Sequence, residues 1–179
     1  MGEAGAFLRS NGASKRDSEK LEWIVGQLIE NHAQYHPGSI GSLKSDYDTA
    51  MPATICITLD PQSPKKIMVR SEGYISPTQF EELGHKIEYT HRHSDNLAGL
   101  DIMDEELDTL PHSTSWGCHV GTVAIARQAR SVPRLTKCGE ASCEGEEFPF
   151  ALDVQYNAHN KFTLKGAKVK DNSGAYLGP

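Results

Sequence analysis

A chain of 179 residues, 37% of them hydrophobic and 23% charged, is long enough to bury a core of its own and too rich in apolar side chains to stay disordered. Its net charge of −6 disfavours bulk binding to nucleic acid, no run approaches the ~18 apolar residues of a membrane span, and its start lacks the apolar region of a secretion signal. Four cysteines, Cys56, Cys118, Cys138 and Cys143, follow no secreted framework, which suits reduced thiols in a soluble, cytoplasmic protein.

Residues 1–16 are rich in Gly, Ala and Ser, show no periodicity and read as a flexible arm ahead of one globular domain over 17–179. A helix is expected from Asp17 or Ser18 to about Ala33, with Leu21, Ile24, Val25, Leu28 and Ile29 on one stripe. Turn-forming residues over 36–49, Pro37, Gly38 and Gly41 among them, read as a loop. Segments 53–59 and 66–70 alternate apolar and polar residues across a Pro-containing turn and read as a β-hairpin, with Cys56 as a packed thiol. Ser76, Pro77 and Gln79 supply an N-cap, a first-turn proline and a capping partner, so a helix starts there with Phe80, Leu83 and Ile87 inward and stops near Gly84. A short strand over 86–90 follows, then an acidic amphipathic helix over 96–110. Residues 118–129 satisfy either period, with a strand expected at their start, and two last strands fall over 150–156 and 162–169. This order gives an α+β fold: a single domain, a layered sheet with flanking helices.

The charge is uneven, with 10 Lys and Arg against 18 Asp and Glu over residues 1–119, and 8 against 6 over 120–179. Arg127, Arg130, Arg134 and Lys137 form a basic strip that suits an anionic ligand or a solvated face. The densest chemistry is His91-Arg92-His93-Ser94-Asp95. If residues 86–90 are a strand, positions i and i+2 project to one side, so His91 and His93 can share a metal and Asp95 can reach in from the loop. On a helix the same spacing would turn the two rings apart.

The run Thr90-His91-Arg92-His93-Ser94-Asp95-Asn96-Leu97-Ala98-Gly99 resembles the Thr-His-x-His-x-Asp signature of the metallo-β-lactamase fold superfamily. That resemblance implies an αββα sandwich, incomplete here, and a third ligand, His159, after the strand over 150–156. It implies zinc, with Fe or Mn as alternatives, held by His91, His93, Asp95 and His159, and a metal-activated water that Asp95 orients for attack on an ester, lactone or phosphodiester. The match is partial: Asn96 stands where many members have His, Ser71-Glu72-Gly73 where a strand usually ends in Asp-x-Gly, and the late bridging Asp is missing. A catalytically degenerate relative is therefore one expectation, and a small-molecule or phosphoester substrate the other.

Two further constellations remain open. Cys118, His119, Cys138 and Cys143 supply the atom types of a closed structural zinc site, and Cys118 with His159 those of a thiol protease. The alternative to hydrolysis is a non-enzymatic interaction or structural protein, an accessory subunit or virus-encoded factor with a protein partner, with or without that zinc.

Overall fold

The computed structural model describes residues 3–35, 54–59, 62–63, 65–97, 99, 120–139, 147–159, 169–170 and 176–177. Its elements are α1 (Glu3–Ser10), α2 (Lys15–Tyr35), β1 (Thr54–Leu59), β2 (Lys66–Ile75), α3 (Pro77–Arg92), α4 (Val120–Ala129), β3 (Arg134–Lys137), β4 (Phe148–Asn157), β5 (Val169–Lys170) and β6 (Tyr176–Leu177), with a 3-10 turn over Ser94–Asn96 after α3. The acidic helix expected over 96–110 and the strand over 162–169 fall largely outside the described residues.

Strands β1, β2, β4 and β3 lie in that order in one antiparallel sheet, and β5 pairs with β6 in a separate ladder. The expected hairpin is β1 and β2, registered with Cys56 opposite Arg70 and Ile57 opposite Val69. Period-two alternation gives the sheet two unlike faces. Ile67, Val69 and Ile75 from β2 and Phe148, Phe150, Leu152, Val154 and Tyr156 from β4 are buried on one of them. That face meets Leu21, Ile24 and Leu28 of α2 and Ile125 and Ala129 of α4, so, while Val25 is partly buried at the edge and Ile29 is exposed, three residues of the α2 stripe lie where its period places them. Each such side chain contributes on the order of 2 kcal/mol by leaving water. The helices form one layer: α1 packs on α2, α2 on α4, and α4 on α3, while α2 also meets β2 and α4 meets β4. The α+β single domain follows.

Three expectations change. Segment Glu3–Ser10, read as part of a flexible arm, is a helix whose Leu8 is fully buried in the same core. The segment 118–129, expected to open as a strand, is helical from Val120, with residues 118 and 119 outside the described ones and Val123, Ile125, Ala126 and Ala129 buried at a helical rather than an alternating spacing.

The third change decides the functional reading. Helix α3 opens as expected, with Ser76 Oγ accepting from the Gln79 backbone N–H at 3.3 Å and the Ser76 N–H donating to Gln79 Oε1 at 3.3 Å. It does not stop at Gly84 but runs to Arg92. Its buried residues Gln79, Glu82, Lys86, Tyr89 and Thr90 recur every three or four positions, the period of a helix face. Nothing lies within 4 Å of where a Cβ on Gly84 would sit, so this glycine is an uncrowded helix-interior position. Gly84→Ala is therefore expected to stabilise the protein by about 1 kcal/mol, read as a rise in the denaturation midpoint. A chain broken at residue 84 would instead lose stability.

Candidate functional site

Helix α3 relocates the metal residues. The strand that would align His91 with His93 is the last turn and a half of a helix, and i, i+2 side chains on a helix diverge. His91 is exposed there. His93 is the C-cap: its backbone N–H reaches the Tyr89 carbonyl at 3.3 Å and its Nδ1 lies 2.9 Å from the same oxygen. Its ring stacks on Tyr89 with centroids 4.4 Å apart, and the Arg92 guanidinium lies 5.8 Å from the Tyr89 centroid. His93 thus closes a helix end, a role that satisfies an otherwise orphaned carbonyl. Asp95 is exposed in the 3-10 turn.

His159 follows β4 as expected, yet its partners are not the other histidines. Its Nε2 lies 2.6 Å from Arg130 Nη2 and its Nδ1 3.4 Å from Asp17 Oδ1. An Arg N–H donates and cannot accept, so Nε2 is the acceptor and Nδ1 carries the proton facing Asp17. Among the described residues, no three His, Cys, Asp or Glu side chains are grouped to hold a metal ion. Of the cysteines, Cys118 and Cys143 lie outside the described residues, as does His119. Cys138 is exposed, with its Sγ 3.9 Å from Arg70 Nη2.

What the fold does assemble is a polar cluster that no local pattern announces. Asp17, in the first turn of α2, is 1% exposed at its side chain. Its Oδ1 accepts from the Tyr156 hydroxyl at 2.7 Å and from the His159 backbone N–H at 3.3 Å, and its Oδ2 from the Ser14 hydroxyl at 2.7 Å. Ser14 Oγ in turn accepts from the Asp17 N–H at 3.1 Å, closing the start of α2. Burial works to raise the carboxyl pKa, but the hydrogen bonds from Tyr156, Ser14 and His159 together outweigh it and hold Asp17 below its ordinary value. Tyr156 moves the other way, raised by burial and by its bond to the Asp17 carboxylate. Asn157 Nδ2 donates to the Arg130 carbonyl at 3.0 Å, and Ser131 Oγ donates to the Gln155 carbonyl. Arg130 itself sits at φ 60°, the left-handed conformation that ends α4. The cluster ties the beginning of α2 and the end of α4 to the end of β4.

The basic strip read from sequence is divided by this arrangement. Arg130 joins the cluster, whereas Arg134 and Lys137 lie on β3, with Lys137 Nζ 4.7 Å from the Phe148 centroid. Two cations from the far end of the sequence take their place. Lys20 is held below its usual pKa by burial first and then by the charges of Arg16 and Arg130, against the pull of Asp17.

On its other face the sheet is polar. Arg70 Nε donates to Glu72 at 2.7 Å and its Nη1 to both Asp153 oxygens at 3.3 Å. Cys56 is exposed rather than packed, because its even position on β1 points away from Ile55, Ile57 and Leu59. It should accordingly react with a thiol reagent such as dithiobis(nitrobenzoate) in the native protein at close to the rate of a free thiol. Cys56→Ser should change stability by no more than about 0.5 kcal/mol.

No family model matches the chain, and no curated protein matches it. Among solved structures it is similar to a chain of the SiaB-SiaC complex from Pseudomonas aeruginosa, with a TM-score of 0.58 and 15% sequence identity, over 85% of this chain and 78% of that one. At that identity the likeness is one of fold. It overturns the resemblance to the metallo-β-lactamase superfamily, and with it the metal-dependent hydrolase reading and its ester or phosphoester substrate. The signature around His91 and His93 matched in letters, while the secondary structure that would give those letters their chemistry is absent from residues 86–92.

Proposed function

We propose that this chain works by binding another protein, as a regulatory or accessory component, in the cytoplasm. The observation that supports this most strongly is that a chain sharing its fold over 85% of its length was solved in a complex of two proteins, SiaB and SiaC. The surface agrees with such a role. Phe7, Trp23, Ile29 and Tyr74 are all exposed, two of them aromatic residues on the helical layer and one on the sheet. Large aromatic side chains in water are the usual anchors of protein interfaces. No described helix is long and apolar enough to cross a membrane.

The test is chemical crosslinking of the full chain in extract of its own cells, identification of the crosslinked protein, and reconstitution from the two purified components. The expected result is co-elution of both in one gel-filtration peak. Hydrolysis of ester or phosphodiester substrates by the purified chain, dependent on added zinc and abolished by His93→Ala, would defeat the reading.

A further inference from the structure

We propose that the outer groove between α2 and α4 docks an acidic segment of the partner protein, anchored by Trp23 and held by Arg16, Lys20 and Arg130. The inference rests on the interaction reading and adds to it a place and a chemistry. Arg16, Lys20, Trp23 and Gln27 recur at the three- and four-residue spacing of one helix stripe, rotated away from the buried Leu21, Ile24 and Leu28. Trp23 is 39% exposed within it. Helix α4 runs antiparallel beside this stripe. A Cβ on Gly121, in the first turn of α4, would lie 3.4 Å from Asn31 Oδ1 near the end of α2, and Arg130, just past the end of α4, acts on Lys20 near the start of α2.

The cations here outnumber the carboxylate beside them: Arg16, Lys20 and Arg130 stand against the single buried Asp17. Asp17, next to Arg16 in sequence, is turned inward to Tyr156, Ser14 and His159. Arg130 uses a guanidinium nitrogen on the uncharged acceptor nitrogen of His159. Glu19, on the far flank of Trp23, lies 3.8 Å from Lys15, and Glu30 accepts from Gln27. Among the described residues neither Arg16 nor Lys20 has an ion pair. Three cations beside an exposed tryptophan, on a chain whose net charge is −6, give a local attraction for carboxylates that the rest of the surface opposes. An acidic segment with an apolar residue facing Trp23 satisfies both features.

The experiment is a titration of the full chain in a Trp116→Phe background, reading Trp23 fluorescence. The probes are a synthetic peptide rich in glutamate and leucine, its lysine-for-glutamate counterpart and its phosphoserine-for-glutamate counterpart. The glutamate peptide is expected to bind, to weaken with added salt, and to lose about tenfold or more in affinity in Lys20→Glu and in Arg16→Glu. Lys66→Glu, an exposed lysine on β2 with the same change of charge, is expected to bind as the parent does. Trp23→Ala, followed with a fluorescein-labelled peptide, should lose about tenfold or more. Equal binding of the lysine peptide, binding of the phosphoserine peptide alone, or charge reversals without effect would overturn the proposal. So would self-association of the chain through this face, dispersed by Trp23→Ala. A reconstituted complex whose crosslinks avoid α2 and α4 would remove the groove and leave the interaction reading standing, whereas absence of any protein partner would remove both.

Discussion

Leu8→Ala is expected to destabilise the protein by about 3 kcal/mol, the cost of an aliphatic cavity in a packed core. Leu8 is fully buried among Leu21, Ile24 and Leu28 of α2 and the apolar face of the sheet, although it belongs to an eight-residue helix at the very start of the sequence. So short a helix has no stability in isolation and exists because its buried side chain fits the core. Urea titration followed by circular dichroism reads the change as a fall in midpoint at constant slope. A loss below about 0.5 kcal/mol, the level of a surface substitution, would mean that residues 3–10 are an arm after all. Phe7→Ala, one position away and exposed, is the matched control.

Asp17→Ala is expected to cost about 3 kcal/mol as well, since it leaves the buried Tyr156 hydroxyl without its acceptor and removes the Ser14 bond that closes α2. The pH dependence has a definite sign. The Asp17 pKa is depressed in the folded protein, so the stability it contributes is complete above the unfolded carboxylate value of about 3.9. That stability disappears as pH falls through the lower folded value. The difference in unfolding free energy between the parent and Asp17→Asn should therefore be constant near neutrality and shrink below about pH 4. A difference that grows on acidification would contradict the hydrogen-bonded, ionised carboxylate described here. Tyr156→Phe deletes one donor while keeping the ring packing, and should give a smaller loss of about 1 kcal/mol.

These two sites show what local pattern can reveal. The opening of α3 was legible because the chemistry of a helix start is contained in four neighbours, Ser76 to Gln79. The β1–β2 hairpin, the α2 stripe and most of β4 were legible for the same reason: their periods are those of apolar side chains meeting one core. The second half of α3 was not. Two of its three buried residues, Lys86 and Thr90, are polar, so the helical period is written in polar residues, while Ile87 and Tyr89 alone mimic an alternating strand. The alignment of His91 with His93 depends on that alternating period and is lost with it. Helix α1 was hidden because a single leucine among small residues carries no periodicity.

The polar cluster joins positions 139 and 142 residues apart, which no window along the chain can connect. Its one local sign was Ser14-Lys15-Arg16-Asp17, a capping pattern that would have moved the start of α2 three residues earlier and marked Asp17 as an inward carboxylate. The same long-range closure puts the basic groove beyond any local pattern. Arg130 read as part of a strip with Arg127, Arg134 and Lys137, but the turn at its left-handed backbone sends the chain into β3 and leaves Arg130 beside residues from the first turn of α2.

The central claim, that the chain acts as one member of a protein complex rather than as a metal-dependent hydrolase, is tested most directly by native mass spectrometry of the full chain purified gently from its own cells. The account predicts a species whose mass is the chain plus a second, defined protein in fixed stoichiometry, dissociating with salt and in Lys20→Glu. A chain that flies alone, or with bound zinc that His91→Ala and His93→Ala remove, would contradict it.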